Sequence, residues 1–174
     1  MKTNKIIYGA LFITMIVIFE RLFSIQTPIV RIGFKFLPAM LSGMFFGPLI
    51  AGTISAMADI IGINLFPSGF PYFVGFTISA FLCGLIYGTA FYKKEITNKN
   101  IIIAVVLKVI IVDLLLTTLW VYMTTGKGIM VVLPARIVKC LIFIPVEAMS
   151  FMIVSKALTK NSVFRKVING GQYF

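Results

Sequence analysis

Long, nearly unbroken runs of apolar residues, separated by short polar stretches, make up most of this chain. The apolar residues do not alternate with polar ones, which favours membrane helices over the strands of a membrane barrel. A helix needs about 20 such residues to cross a bilayer. The pattern predicts an all-α integral membrane protein, with six transmembrane helices in one domain over residues 1–174. The helices are expected at about 6–23, 34–46, 49–66, 72–91, 101–123 and 129–158.

Prolines, glycines and polar residues mark the connections between these runs. They are GP (47–48), PSGFPYF (67–73), KKEITNKN (93–100) and TTGKG (124–128). The first run follows Lys2 and Lys5, as in a signal peptide, but no A-x-A-like cleavage site comes after it. We therefore expect this first helix to be retained.

The composition indicates a membrane protein and argues against metal binding and catalysis. Hydrophobic residues make up 60% of the chain, the mean hydropathy is +1.06, and only 12% of the residues are charged. A soluble domain of this size could not hide so much apolar side chain. The chain has no histidine, and Cys83 and Cys140 show no metal-ligand spacing. We expect no metal, no cofactor, no catalytic residue and no nucleic-acid partner.

The distribution of lysine and arginine predicts the orientation in the membrane. Nine of the sixteen cations lie in the N-terminal tail, the 93–100 loop and the C-terminal tail: Lys2, Lys5, Lys93, Lys94, Lys99, Lys156, Lys160, Arg165 and Lys166. With six spans these three regions share one side, which the positive-inside rule assigns to the cytoplasm. Both termini are then cytoplasmic, and the connections at 24–33, 67–73 and 124–128 face outward. We expect a multi-pass protein of a plasma membrane.

Several charged residues lie within the predicted spans, where ionisable groups are costly and normally face a cavity or each other. Arg136, Lys139 and Glu147 recur on one face of the last helix, while Asp113 and Trp120 share a face of the fifth. Internal pairing, for example of Asp113 with Lys139, is one explanation. Because cations exceed acids in the outer half, a site for a carboxylate or phosphate ligand is the other.

Aromatic residues gather at the predicted outer ends of the helices. Phe70, Tyr72 and Phe73 belong to the proline-stiffened 67–73 connection, and Trp120 and Tyr122 end the fifth helix at the same level. They form either an interfacial aromatic belt or a lid that stacks on a flat ring. A heteroaromatic ligand with an anionic end would suit both the rings and the cations.

Small residues recur at four-residue spacing on the first four helices, which lets helices pack closely in lipid. Most of these stripes are expected to serve internal packing. One of them, Ala10 and Thr14 on the first helix, is a candidate docking face for another membrane protein.

Three ordered motifs carry a resemblance to a known family. RIGFKFLPAMLSGMFFGP is followed by a helix with AMADIIG and then by FPSGFPYFVGFTISAFLCGLIYG, covering about residues 31–88, and LPARIVKCLIFIP follows at 133–145. The combination resembles the folate-family substrate-binding (S) subunits of energy-coupling factor (ECF) vitamin transporters. This resemblance implies six helices, outward capture of folate, and delivery by reorientation in the membrane. It also implies a transmembrane coupling subunit (EcfT) and two ATP-binding-cassette ATPases as partners.

On this hypothesis, residues 26–35 form an outer gate, with Gln26 at its start and Arg31 and Lys35 attracting an anionic vitamin. Asp113, with Asp59 as the second candidate, would accept hydrogen bonds from the pterin edge. The ring would stack on Trp120, Phe70 or Tyr72, and the glutamate tail would be bound by Arg136, Lys139 and Arg21. Arg31 and Lys35 would otherwise only anchor the helix at the lipid headgroups.

Two other functions remain open at this level. One is the same fold with riboflavin or another vitamin as its ligand, although the excess of cations disfavours thiamine, which is itself a cation. A scaffold or assembly protein without a small ligand would use the same charges for stability alone. An intramembrane enzyme is disfavoured, because histidine and paired carboxylates at one depth are lacking.

Overall fold

The computed structural model describes residues 2–26, 31–67, 72–94, 96–126 and 128–160. Within these ranges the helices form one bundle: α1 (Lys2–Arg21), α2 (Phe36–Phe46), α3 (Pro48–Leu65), α4 (Val74–Phe91), α5 (Asn98–Lys108), α6 (Thr117–Thr125) and α7 (Ile129–Lys160). A π-helical segment, Val109–Leu116, joins α5 to α6 in one continuous helix. Helix α7 continues through Pro134 and Pro145.

Four stretches in the described part of the chain are long and apolar enough to cross a membrane. They are Pro48–Leu65, Val74–Phe91, Asn98–Thr125 and Ile129–Leu158, and α2 is a shorter apolar helix. The outward surfaces are also apolar, with Met130 86% and Ile153 70% exposed. Because water would disfavour such a surface, it is suited to lipid. The described residues therefore form a helical, multi-pass membrane protein, as the composition predicts.

The connection between α1 and α2 contains a feature that the sequence pattern did not predict. Strands β1 (Ser24–Gln26) and β2 (Arg31–Gly33) pair in antiparallel register, with Ser24 opposite Gly33. A Cβ atom at Gly33 would lie 2.7 Å from Cβ of Ser24, so the missing side chain allows this close pairing. We call the end of the bundle that carries this hairpin, the C-terminal end of α3 and the N-terminal end of α4 the hairpin end.

Close backbone contact joins α2, α3 and α4. A Cβ atom at Gly43 would lie 2.8 Å from the backbone nitrogen of Gly88, and one at Gly52 would lie 2.9 Å from the ring of Phe81. Small residues thus bring these helices together, as their spacing predicts. Tyr87 and Phe151 are fully buried in the core that results.

Candidate functional site

An ionic network lies in the interior between α4, α5 and α7. The ammonium of Lys108 is 2.8 Å from Oδ2 of Asp113 and 2.7 Å from Oε1 of Glu147. The hydroxyl of Tyr87 donates a hydrogen bond of 3.3 Å to the other oxygen of Glu147. Lys108 and Glu147 are buried, and Asp113 is half-buried. One cation therefore pairs with two carboxylates in the interior of an apolar bundle.

The π-helical segment makes this arrangement possible. In an α-helix each residue turns by about 100°, so side chains five positions apart lie about 140° from each other. The wider π turn brings positions i and i+5 together, and Lys108 and Asp113 have this spacing. Thr117 follows the same period, because its hydroxyl donates to the carbonyl of Val112 at 2.7 Å. A prediction that assumed regular α-helical spacing therefore missed the pairing of Lys108 with Asp113.

Arg136 and Lys139 lie on α7, between the network and the hairpin end of the bundle. Arg136 is buried, and its Nη2 donates to the backbone carbonyl of Asp113 at 3.1 Å. The ammonium of Lys139 lies 5.5 Å from the ring centroid of Phe143. In the described part of the chain, no carboxylate approaches it within 4.0 Å. Asp113 and Lys139, considered as a pair from the sequence, interact electrostatically, but the direct contact of Asp113 is with Lys108.

Trp120 packs against the beginning of α4. Its ring centroid is 5.5 Å from that of Phe73, with the ring planes tilted by 52°. Its Nε1 donates a hydrogen bond of 3.0 Å to the hydroxyl of Ser79. Gly75 allows the indole to approach, because a Cβ there would lie 2.6 Å from Cδ2 of Trp120. Both polar and apolar contacts thus fix this ring at the hairpin end.

A second chain of polar side chains joins α3 to the beginning of α4. The hydroxyl of Thr77 donates to Oδ2 of Asp59 at 2.8 Å, and it lies 2.9 Å from the hydroxyl of Tyr72. Asp59 is buried, whereas Tyr72 is 47% exposed. Tyr72, an expected lid residue, is therefore tied to the carboxylate that we considered second for the pterin edge.

The end of α1 contacts both the hairpin and α3. The ammonium of Lys35 is 2.6 Å from Oε1 of the buried Glu20. Nη1 of Arg21 donates to the carbonyl of Phe66 at 3.4 Å, and its side chain crosses Gly62. The hydroxyl of Ser24 donates to the carbonyl of Glu20. These contacts hold the hairpin and the end of α3 against the same turn of α1.

The remaining residues expected at the site are not all in the described part. Gln26 and Arg31 face each other across the hairpin in the backbone register. Phe70 lies outside the described residues. The expected set thus separates into one group near the hairpin and α3, and another around Asp113, Trp120, Arg136 and Lys139.

The two groups carry the same balance of charge. Near the hairpin, Arg21, Arg31 and Lys35 accompany Glu20 and Asp59, and Asp59 interacts electrostatically with Glu20, Arg21 and Lys35. Around the π-helical segment, three cations also accompany two carboxylates: Lys108, Arg136, Lys139, Asp113 and Glu147. Each group has one more cation than carboxylates, which suits an anionic ligand.

Sequence reasoning left Lys108, Glu147, Ser79 and Gly75 out of the site. A charged residue in an apolar run was a usable signal for Lys108 and Glu147. Nothing in the local pattern connects Ser79 or Gly75 to Trp120, because those contacts join separate helices.

Comparison with known proteins identifies the class of this bundle. The sequence profile of the family described as "ECF transporter, substrate-specific component" matches residues 4–155. The chain belongs to this family, so the resemblance found in its motifs is confirmed.

Particular relatives give a narrower picture. The chain is 42% identical over 166 residues to "Folate transporter FolT" of Clostridium novyi (strain NT), covering 95% of this chain and 96% of that protein. It is 27% identical over 153 residues to "Folate transporter FolT" of Leuconostoc mesenteroides subsp. mesenteroides, covering 84% and 82%. A solved structure, "Crystal structure of FolT bound with folic acid", superposes with a TM-score of 0.86 at 36% identity. That superposition covers 89% of this chain and 94% of the other.

Proposed function

We propose that this protein is the substrate-capture subunit of an ECF-type importer and that its ligand is folate. It binds folate from the outside and delivers it by reorienting in the membrane, while partner subunits hydrolyse ATP. The observation that carries the proposal is the likeness, along nearly the whole chain, to a transporter structure described as bound with folic acid. The excess positive charge around Lys139 supports it, because folate carries two carboxylates on its glutamate tail.

The proposed ligand residues come from both groups at the hairpin end. Arg136 and Lys139 offer donors to the carboxylates, and arginine is suited to a bidentate fork. Asp113 offers oxygen acceptors, and Trp120 and Tyr72 offer aromatic faces. Arg21 is a third candidate donor to the carboxylates, and Phe70 is a further candidate aromatic face. Gln26 and Arg31 belong to the proposed gate.

We propose six spans, with α1 and the short α2 added to the four long apolar stretches, in a bacterial plasma membrane. Both termini lie in the cytoplasm, and the hairpin end faces outward. Maleimide labelling of single cysteines in intact cells tests this orientation, with Cys83 and Cys140 buried as background. A membrane-impermeant reagent should label Gly128→Cys but not Lys99→Cys. The reverse pattern would contradict the proposed orientation.

The proposed partners are the transmembrane coupling subunit and two ATP-binding-cassette ATPases. Ala10 and Thr14 lie on an exposed face of α1, which suits close docking of another helix. Ala10→Leu should reduce co-purification with the coupling subunit and leave folate binding unchanged. Tyr8→Leu offers a matched control on the same helix. Equal recovery of the coupling subunit with both variants would exclude this face.

Fluorescence of Trp120, the single tryptophan, tests the ligand directly. Titration of the purified protein with folate should give saturable quenching at nanomolar to low-micromolar concentrations, which thiamine does not produce. Arg136→Ala should weaken folate binding by a factor of about 10–100, since it removes charged hydrogen bonds. Lys99→Ala, which removes an exposed cation elsewhere, should bind normally.

Calorimetry covers the case in which the indole does not sense the ligand. Binding of riboflavin instead of folate would keep the family and change the vitamin. If no vitamin bound by either method, the charges would be structural and the scaffold hypothesis would take the place of this proposal.

A further inference from the structure

Lys108 occupies a position that is unusual for a residue outside the ligand set. Its ammonium is buried in the bundle and lies within 2.8 Å of two carboxylates on different parts of the chain. Buried ionic groups are commonly no more stabilising than apolar side chains of the same size. Within a membrane they are rare and tend to mark functional sites. A contribution to stability alone therefore does not explain why a lysine occupies this buried position.

The two carboxylates differ in what they contact. Glu147 also accepts the hydrogen bond from Tyr87, so it is held between α4 and α7. Asp113 lies on the π-helical segment, one wide turn from Lys108. Lys108 thus joins a fixed point in the core to the segment that carries a proposed ligand residue.

A further hydrogen bond extends this connection to Arg136. The backbone carbonyl of Asp113 accepts from Nη2 of Arg136 at 3.1 Å. The position of that carbonyl depends on the π-helical geometry, and the pairing of Lys108 with the Asp113 side chain favours that geometry. Lys108 therefore contacts Asp113 directly and reaches Arg136 through it.

We propose that Lys108 is a positioning residue for ligand capture: held by Glu147, it fixes Asp113 on the π-helical segment and thereby orients the guanidinium of Arg136. The inference rests on the proposed function, because it takes Asp113 and Arg136 as ligand groups. Lys108 itself touches no ligand. Its replacement should weaken binding beyond what a general loss of stability would cause.

Folate binding and thermal unfolding of the full-length protein, measured side by side, test this proposal. Lys108→Met should weaken folate affinity about tenfold or more, the loss expected when a charged hydrogen bond no longer holds a site in place. Lys108→Arg should recover part of the affinity. Phe12→Leu is the matched control, because it loosens buried aromatic contacts with Phe45 and Phe46, between α1 and α2, and none of these residues belongs to the network. It should lower Tm with little change in Kd.

A double-mutant cycle distinguishes positioning from mere structural support. If Lys108 acts partly through Arg136, adding Lys108→Met to Arg136→Ala should weaken folate binding by less than Lys108→Met does in the unchanged protein. Additive losses of affinity would overturn the proposal. So would a Lys108→Met protein that has a lower Tm but binds within about twofold of the unchanged protein, a difference too small for a lost charged contact.

A second variant covers the case in which Lys108→Met does not fold. Lys108→Gln with Glu147→Gln removes one charge of each sign, so the net charge of the network is unchanged. It should also bind folate more weakly, and normal binding would overturn the proposal. If the unchanged protein itself binds no folate, the proposed function fails. If it binds and these variants bind equally well, only the role of Lys108 fails.

Discussion

Gly75 lies directly against the indole ring of Trp120. A Cβ atom at residue 75 would lie 2.6 Å from Cδ2 and 2.8 Å from Cε2 of the ring, and it would also meet the ring of Phe73. The bare backbone of α4 is therefore one wall of the space that Trp120 occupies. Nε1 of the same ring donates a hydrogen bond to the hydroxyl of Ser79, four residues further along α4.

Gly75→Ala should displace Trp120. The added methyl group would overlap the indole, and because the ring is rigid it can relieve the overlap only by moving as a whole. The expected result is a shifted emission maximum and folate binding weakened about tenfold, as when one aromatic contact is lost. Gly128→Ala is the control, since no atom lies within 4 Å of the added methyl group. An unchanged emission spectrum together with unchanged affinity would show that the ring can move without consequence.

Lys139→Met should change stability and binding in opposite directions. The ammonium is half-buried without a carboxylate within 4.0 Å in the described part of the chain, so its removal should raise Tm by a few degrees. The same change should weaken folate binding about tenfold, because it removes the excess cation. Val138→Met, on an exposed neighbour, should alter neither quantity. A lower Tm would indicate that Lys139 is held by a stabilising interaction.

Lys35→Met should destabilise the protein by about 1–3 kcal/mol, because it removes the ammonium that neutralises the buried Glu20 carboxylate. Adding Glu20→Gln should restore part of that stability, since the buried group is then uncharged. Thermal unfolding of both variants checks the sign. If Lys35→Met unfolds at the unchanged temperature, the pair is only a surface contact of the exposed lysine.

Gly43→Ala should destabilise the bundle by about 1–3 kcal/mol, the usual cost of overpacking. The new methyl group would meet the backbone of α4, at Gly88 and Tyr87, where no side chain can rotate away. Gly9→Ala gives the comparison, because the nearest atom to its methyl group would be a side-chain carbon of Ile54 at 3.9 Å. Thermal unfolding should separate the two variants, and equal stabilities would contradict the close packing of α2 on α4.

The candidate site could be predicted from the sequence only in part. Residues such as Arg136, Lys139 and Asp113 stood out because a charge in an apolar run is costly in lipid. Their partners did not stand out. The pairing of Asp113 depends on a π-helical turn, and the contact of Trp120 with Gly75 depends on how α6 approaches α4.

By itself, the sequence determined that this protein is a helical membrane bundle, and its ordered motifs determined the family. The bundle follows from the length of the apolar runs, which the thickness of the lipid bilayer sets, and the family follows from short motifs in a fixed order. Both are local features of the sequence. The tertiary structure decided which charges pair with each other, and it leaves Lys139 without a carboxylate within 4.0 Å in the described part of the chain. Ion pairs between helices form only over a few ångströms, so they depend on how the helices pack. They also depend on the π-helical segment, which the pattern of apolar residues does not predict.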